Sequence, residues 1–283
     1  MKISFVGFGK IGSAMAENLN RYYEVTGFNR TIDKVKNVSK IARSLKEVSE
    51  NDIVILNLSD SLAVGEVLFG EGGLASHNLS SKIVIDTTTN HFEKVIEFHE
   101  KLTNMNCSYV EAPVIGSVIP ALNGQLTVLA SCERGVFENV KDILMCIGKK
   151  VIHYTEKGLA TKLKLLNNLV LSNFMFAIAE ATSFGEKIGL DKTKIIEVLE
   201  NGAGNSVVLN AKKGKLLNED FDAHFDVKTL LKDLNYVQEL FEKNNLPLLS
   251  NCTKNIYSIA SNMGYSDKDF SGIYSFLKKI KGD

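Results

Sequence analysis

The first 155 or so residues alternate short apolar runs with stretches of helical periodicity, and that rhythm limits the fold more than any other feature. Strand-like runs occupy residues 2–6, 23–28, 52–58, 82–86, 107–111, 126–130 and 150–154. Residues 32–40, 61–69 and 91–104 carry apolar side chains at helical spacing. The run at 52–58 is almost continuously apolar, as expected of a strand covered on both faces. Strands alternating with helices of about 10–14 residues predict an α/β domain with a parallel, doubly wound sheet.

From about Leu159 the rhythm changes. No strand signal or proline interrupts the sequence as far as Ile188, which is dense in Leu163, Leu166, Leu169, Val170, Phe174, Met175 and Ile178. One helix of about 25–30 residues is expected, spanning roughly 40 Å at 1.5 Å per residue and long enough to link two domains. Helical segments continue over 193–201, 207–213, 227–244, 249–263 and 267–280, with Asp191 and Asp267 placed where N-terminal acids favour a helix. The expected division is an α/β domain over 1–158 and an all-helical domain over 159–283, concerned with substrate and oligomerisation.

Charge excludes some partners. Lys+Arg and Asp+Glu both number 33, so no bulk attraction to nucleic acid or an anionic membrane is expected. No apolar run approaches the roughly 20 residues of a membrane span, and the N-terminus leads into a strand without a secretion signal. The four cysteines, Cys107, Cys132, Cys146 and Cys252, are scattered, with no C-x-x-C pair and no His at metal-ligand spacing. Isolated buried thiols in a reducing cytoplasm are expected, with no metal site.

The segment Gly7-Phe8-Gly9-Lys10-Ile11-Gly12 follows the first strand and opens a helix. Gly7 suits a tight turn, Gly9 a close approach of backbone to a pyrophosphate, and Gly12 close helix–strand contact, with the helix N-terminus facing the phosphates. The context of strand, turn and helix makes this a dinucleotide-binding signal. At the end of the second strand an acid would accept from the ribose 2′-hydroxyl. Neutral Asn29, then Arg30 and Thr31, stand there instead, which favours the 2′-phosphate of NADP(H).

Residues 111–127, with Glu111-Ala112-Pro113-Val114-Ile115-Gly116-Ser117 and Ala121 to Thr127, read as a loop where a doubly wound domain holds its ligand crevice. Near the start of the long helix, Lys164 and Asn168 are four apart and share a face. If that face lines the domain cleft, the lysine could move a proton at a substrate oxygen and the amide could hold it. On spacing alone, Lys164 could equally be a snorkelling surface lysine like Lys162.

With these motifs together, the chain resembles the β-hydroxyacid dehydrogenase family, which includes 3-hydroxyisobutyrate dehydrogenase and NADPH-dependent glyoxylate and succinic semialdehyde reductases and is related to 6-phosphogluconate dehydrogenase. Asp86-Thr87-Thr88-Thr89 is similar to the family's D-x-[ST]-T, which implies Thr89 beside the nicotinamide ribose. Glu111 to Gly124 resembles the substrate-binding segment, which implies Gly116 and Ser117 as substrate ligands. Lys164 to Asn168 matches K-x-x-N-N, implying Lys164 as general acid/base and Asn168 as a substrate ligand. Lys232-Asp233-Leu234 matches K-D-L, whose lysine reaches the cofactor. Leu58 joins Gly7 to Gly12, Asn29, Arg30, Thr31, Thr89 and Lys232 among the expected cofactor contacts.

Two positions depart from the pattern. Where the family has P-V-S-G-G, this chain has Ile115 for the serine and Ser117 for the second glycine, which leaves the substrate's identity open. Gly158-Leu159-Ala160 replaces G-x-G before the lysine.

The resemblance implies a Rossmann domain binding NADP(H) and a hydroxyacid or aldehyde acid as substrate. The long apolar helix and its helical sequel carry more hydrophobic surface than one small domain can easily cover, so a homodimer or homotetramer is expected, in the cytoplasm that the thiols suggest. An imine reductase would usually carry Asp or Tyr at the lysine position. A 6-phosphogluconate dehydrogenase would need more helical chain than follows Gly158, and a non-catalytic dinucleotide-binding module would have no use for both Lys164 and Asn168.

Overall fold

The computed structural model describes residues 2–280. The chain divides into two compact units between Lys164 and Leu165, inside the long helix.

The first unit opens with β1 (Ile3–Val6), α1 (Lys10–Asn20), β2 (Val25–Phe28), β3 (Lys40–Ile41) and α2 (Leu45–Ser49). It continues through β4 (Ile53–Leu56), α3 (Ser61–Phe69), β5 (Ile83–Asp86), α4 (Phe92–Thr103) and β6 (Ser108–Glu111). The far edge is built from β7 (Val114–Ile115), α5 (Val118–Leu122), β8 (Leu126–Ser131), α6 (Arg134–Ile147) and β9 (Gly148–Tyr154).

All these strands share one sheet, in the order β3-β2-β1-β4-β5-β6-β8-β7, with β9 also paired to β8. Pairing is parallel from β3 to β6. Then β8 turns antiparallel to β6 and β7, so the far edge is mixed where a wholly parallel sheet is expected. Strand side chains alternate between two cores. Ile3, Phe5, Ile53, Ile55, Ile85 and Val110 pack with Met15, Leu19, Ile143 and Leu144. Val6, Val54, Leu56, Val84 and Tyr109 pack with Val64, Leu68, Val95 and Phe98. Helices on both faces are what a run such as Ile53–Leu56 requires.

Several expectations are corrected. Residues 32–40 form only a short 3₁₀ turn, Ile32–Lys34, before Asn37 takes a left-handed φ of 58° and β3 begins. The stretch expected as a loop at 111–127 contains β7, whose Ile115 stands opposite Thr127 of β8. The amphipathic helix α6 has no counterpart among the expected elements, though Phe137, Val140, Ile143, Leu144 and Ile147 line its buried face. Cys252 is exposed and Cys146 half-buried, so only Cys107 and Cys132 are buried thiols.

The second unit takes most of α7 (Leu159–Lys187, 29 residues), then α8 (Lys192–Asn201), α9 (Val207–Asn218), α10 (Val227–Lys243), α11 (Asn251–Ala260) and α12 (Ile273–Ile280). Met175, Ile178, Leu209, Leu216, Leu230, Leu234, Tyr257 and Phe276 are among its core residues. Asp191, Ser206 and Asp226 each cap a helix by accepting a backbone N–H three residues on, an arrangement of about 1 kcal/mol each.

Asp267 caps nothing. It lies in a turn and pairs with Lys228 at 2.6 Å, two residues before Asp269, whose buried carboxylate takes Lys212 Nζ at 2.9 Å. The helix expected over 267–280 is therefore a 3₁₀ turn, Phe270–Gly272, followed by α12. Helix α11 likewise stops short of Met263, before the kink at Gly264.

Candidate active site

The glycine turn sits between β1 and α1, and its three glycines differ. Gly7 has φ +103°, and a Cβ there would lie 2.1 Å from the Asn57 carbonyl oxygen. A Cβ on Gly12 would lie 2.1 Å from the Gly7 carbonyl oxygen. In both cases the atom met belongs to the backbone and cannot yield. Gly9 is different, since nothing lies within 4 Å of where its Cβ would be. That open cradle at a helix N-terminus fits a pyrophosphate. Gly9 is the N-cap of α1 and has no side chain to accept a hydrogen bond. The partial positive charge of the first turn, which includes Lys10, Ile11 and Gly12, is then available to an anion.

The Phe8 side chain packs into the core. Its ring is 3% exposed and meets Phe5 edge-on, and its N–H donates to Asn29 Oδ1 at 2.9 Å. Asn29 Nδ2 donates to the Thr31 carbonyl, also at 2.9 Å. Asn29 thus ties the end of β2 to the glycine turn, with Arg30 and Thr31 exposed beside it.

Loops after β4 and β5 join the same end of the sheet. Leu58 N donates to Thr88 Oγ1 at 3.0 Å, and Asn57 Nδ2 to Thr87 Oγ1 at 3.0 Å, which draws Leu58 close to the Thr87–Thr89 turn. Buried Asp86 organises that turn, accepting from Thr88 N at 2.9 Å, Asn90 Nδ2 at 2.7 Å and Tyr109 OH at 2.7 Å. Burial pushes its carboxyl above the usual range, against the pull of those donors. Burial, then the neighbouring Asp86 charge, drives the Tyr109 phenol well above its ordinary value, so it remains a donor. The sequence alone assigned no role to Asp86 or Asn57; Tyr109 and Thr87, which they meet, stand 23 and 30 positions away. After β7, Gly116 is exposed with φ +139°, and Ser117 is the N-cap of α5 without a side-chain hydrogen bond there.

Lys164 is buried, at 9% exposure, whereas its neighbour Lys162 is half-buried. Asn168 follows one turn later on α7 and is 1% exposed. Its Nδ2 donates to Asp233 Oδ2 at 2.6 Å, and Asp233 Oδ1 lies 3.2 Å from Lys232 Nζ. The K-x-x-N-N and K-D-L motifs are therefore joined through Asn168 and Asp233. Among the described residues no three His, Cys, Asp or Glu side chains cluster to hold a metal, and no helix is long and apolar enough to cross a membrane.

A turn that fits a pyrophosphate, on a doubly wound sheet followed by helices, defines a dinucleotide-binding protein, and the family models below make it an oxidoreductase of the nicotinamide-dependent kind. Residues 2–155 match the family model described as the NAD binding domain of 6-phosphogluconate dehydrogenase. Residues 158–277 match the one described as NAD-binding of NADP-dependent 3-hydroxyisobutyrate dehydrogenase. The chain belongs to the β-hydroxyacid dehydrogenase family.

It is 31% identical to an oxidoreductase of Synechocystis sp. over 254 residues, covering 87% of this chain and 88% of that one. It is 28% identical to glyoxylate/succinic semialdehyde reductase 1 of Arabidopsis thaliana, covering 98% and 99%. The crystal structure of a 3-hydroxyisobutyrate dehydrogenase from Salmonella typhimurium shares the fold, with a TM-score of 0.90, 24% identity and coverage of 98% and 99%.

Proposed function

We propose that this enzyme uses NADP(H) to interconvert a short β-hydroxyacid and its semialdehyde, or to reduce a small aldehyde acid, with Lys164 as general acid/base. The observation that carries this reading is the burial of Lys164 one turn before a buried Asn168, in a family of dehydrogenases. A bound nicotinamide supplies the hydride in one direction and accepts it in the other. Lys164 gives a proton to the carbonyl oxygen during reduction and takes the hydroxyl proton during oxidation. Asn168 commits one Nδ2 proton to Asp233 and keeps a second to hold the substrate oxygen. Backbone N–H groups of Gly116 and Ser117 bind the carboxylate, while Ile115 offers no hydroxyl there.

Cofactor contacts come from the 7–12 turn, Leu58, Thr89 and Lys232. The phosphate-selective contacts come from Arg30 and Thr31, which are exposed at the end of β2. The relatives named semialdehyde reductase and the family model naming an NADP-dependent dehydrogenase support the same reading. A substrate panel run with NADPH and NADH should show NADPH preference. Arg30→Ala should reduce that preference about 10–100-fold, as expected for losing a charge-assisted contact. Lys164→Ala should lower kcat/KM by roughly 10²–10⁴-fold on every active substrate. Unchanged turnover would sink the assigned mechanism.

The domain assignment accompanies this proposal: a dinucleotide-binding domain over 1–158, and a substrate and oligomerisation domain over 159–283. A homodimer or homotetramer in the cytoplasm accompanies it as well; the association is supported by Leu166, Val170 and Phe174, which leave a four-residue-spaced apolar stripe 40–51% exposed on α7. A monomeric mass in solution would refute the oligomer.

A further inference from the structure

Helix α7 carries Lys164, yet its own sequence does not cap it. Gly158 precedes its first residue with φ +81° and has no side chain to offer. The caps arrive from the sheet instead. Glu111, the last residue of β6, stands directly opposite Ser131, the last residue of β8, in the antiparallel register. Opposed residues in such a pair point to the same face, and here both side chains meet the first turn of α7.

Ser131 Oγ accepts from Ala160 N at 3.1 Å. Glu111 Oε1 accepts from Gly158 N, and from His99 Nε2 at 3.0 Å when that nitrogen carries the proton. Glu111 Oε2 accepts from Thr161 N at 3.3 Å and Thr161 Oγ1 at 2.9 Å. Each oxygen of a carboxylate that is 1% exposed thus meets two donors. A buried charge is tolerated only when its donors are supplied this fully.

A local acceptor would satisfy the same backbone groups more simply, as Asp191, Ser206 and Asp226 do for α8, α9 and α10. A local cap defines where a helix begins, but not where it sits. A cap from another strand defines both. Thr161 lies three residues before Lys164, hence on an adjacent part of the same helical face.

We propose that Glu111 is a positioning residue for Lys164: its carboxylate, with Ser131 beside it and His99 behind it, sets the height and rotation at which α7 presents the lysine. The inference rests on the reading of Lys164 as the proton-transfer residue. It also accounts for Thr161, whose hydroxyl supplies the fourth donor.

The test is a double-mutant cycle with steady-state kinetics on the most active substrate, alongside cofactor titration and thermal melting of each variant. Glu111→Gln keeps the shape but turns an acceptor into a donor facing donors. It should lower kcat about tenfold or more, as misplacement of a reacting group does, with cofactor affinity unchanged. Thr161→Val should lower kcat less and Thr161→Ser should restore it; this pair serves if Glu111→Gln fails to fold. In the Lys164→Ala background, Glu111→Gln or Thr161→Val should add nothing, because each acts through the missing amine.

Penalties that multiply with that of Lys164→Ala would overturn the proposal while leaving the lysine's role intact. So would a folded Glu111→Gln or Thr161→Val enzyme with wild-type kcat. A Lys164→Ala enzyme as fast as wild type would remove both readings.

Discussion

Helices α1 and α7 begin alike and are finished differently. Each is preceded by a glycine, Gly9 or Gly158, so neither has a side-chain cap of its own. At α7 the protein fills that place with Glu111 and Ser131, both buried. At α1 it leaves open space around Gly9. The same electrostatic feature, a positive helix end, is closed by the protein's own carboxylate in one place and left to a ligand's phosphates in the other. The contrast separates a device that holds a helix from one that holds a cofactor.

The contrast can be broken most severely at Gly12. Gly12→Ala forces a Cβ against the Gly7 carbonyl at 2.1 Å. The glycine turn should lose its native geometry, with melting by circular dichroism showing loss of the N-terminal unit's cooperative transition; a native melting profile would contradict the contact. Gly9→Asp should act in the opposite sense, giving α1 a cap of its own. Its backbone already has the extended φ and ψ of a cap, −76° and −176°. Isothermal titration should show NADPH affinity falling about 100-fold or more, as a local negative charge replaces the anion's place, while the unliganded protein melts no lower than wild type. Tight binding by Gly9→Asp would mean the pyrophosphate is held elsewhere. The mildest change is Ser131→Ala, which removes one acceptor from α7 and should cost about 1 kcal/mol in urea unfolding. No measurable change would mean that Ala160 N–H is satisfied without it.

The glycine turn was legible because its parts are contiguous and its context, strand then helix, repeats locally. The long helix was legible for the same reason: α7 runs 29 residues without a breaker. Lys164 and Asn168 could be paired because helical geometry relates positions four apart. Glu111 and Ser131 could not be read as a pair, since it is the register between β6 and β8 that places these residues, twenty apart, side by side. Phe8 lay inside a cofactor motif, yet Gly27 leaves a space that its ring fills from within the core. Residues 267–269 seemed a helix start by composition; the demand of buried Lys212 for a carboxylate overrode it.

By itself the sequence determined the α/β alternation, the helical second half, the open glycine at a helix start and the K-x-x-N-N spacing. These follow from short-range sterics and periodicity, which one stretch of chain contains within itself. The tertiary structure alone decided that the far edge of the sheet turns antiparallel, that Lys164 is buried rather than splayed into water, and that Asn168 is joined to Asp233. It also decided that α7 is capped from the sheet. Burial and hydrogen-bond partnership are properties of pairs, and the partners here stand 20 to 65 positions apart.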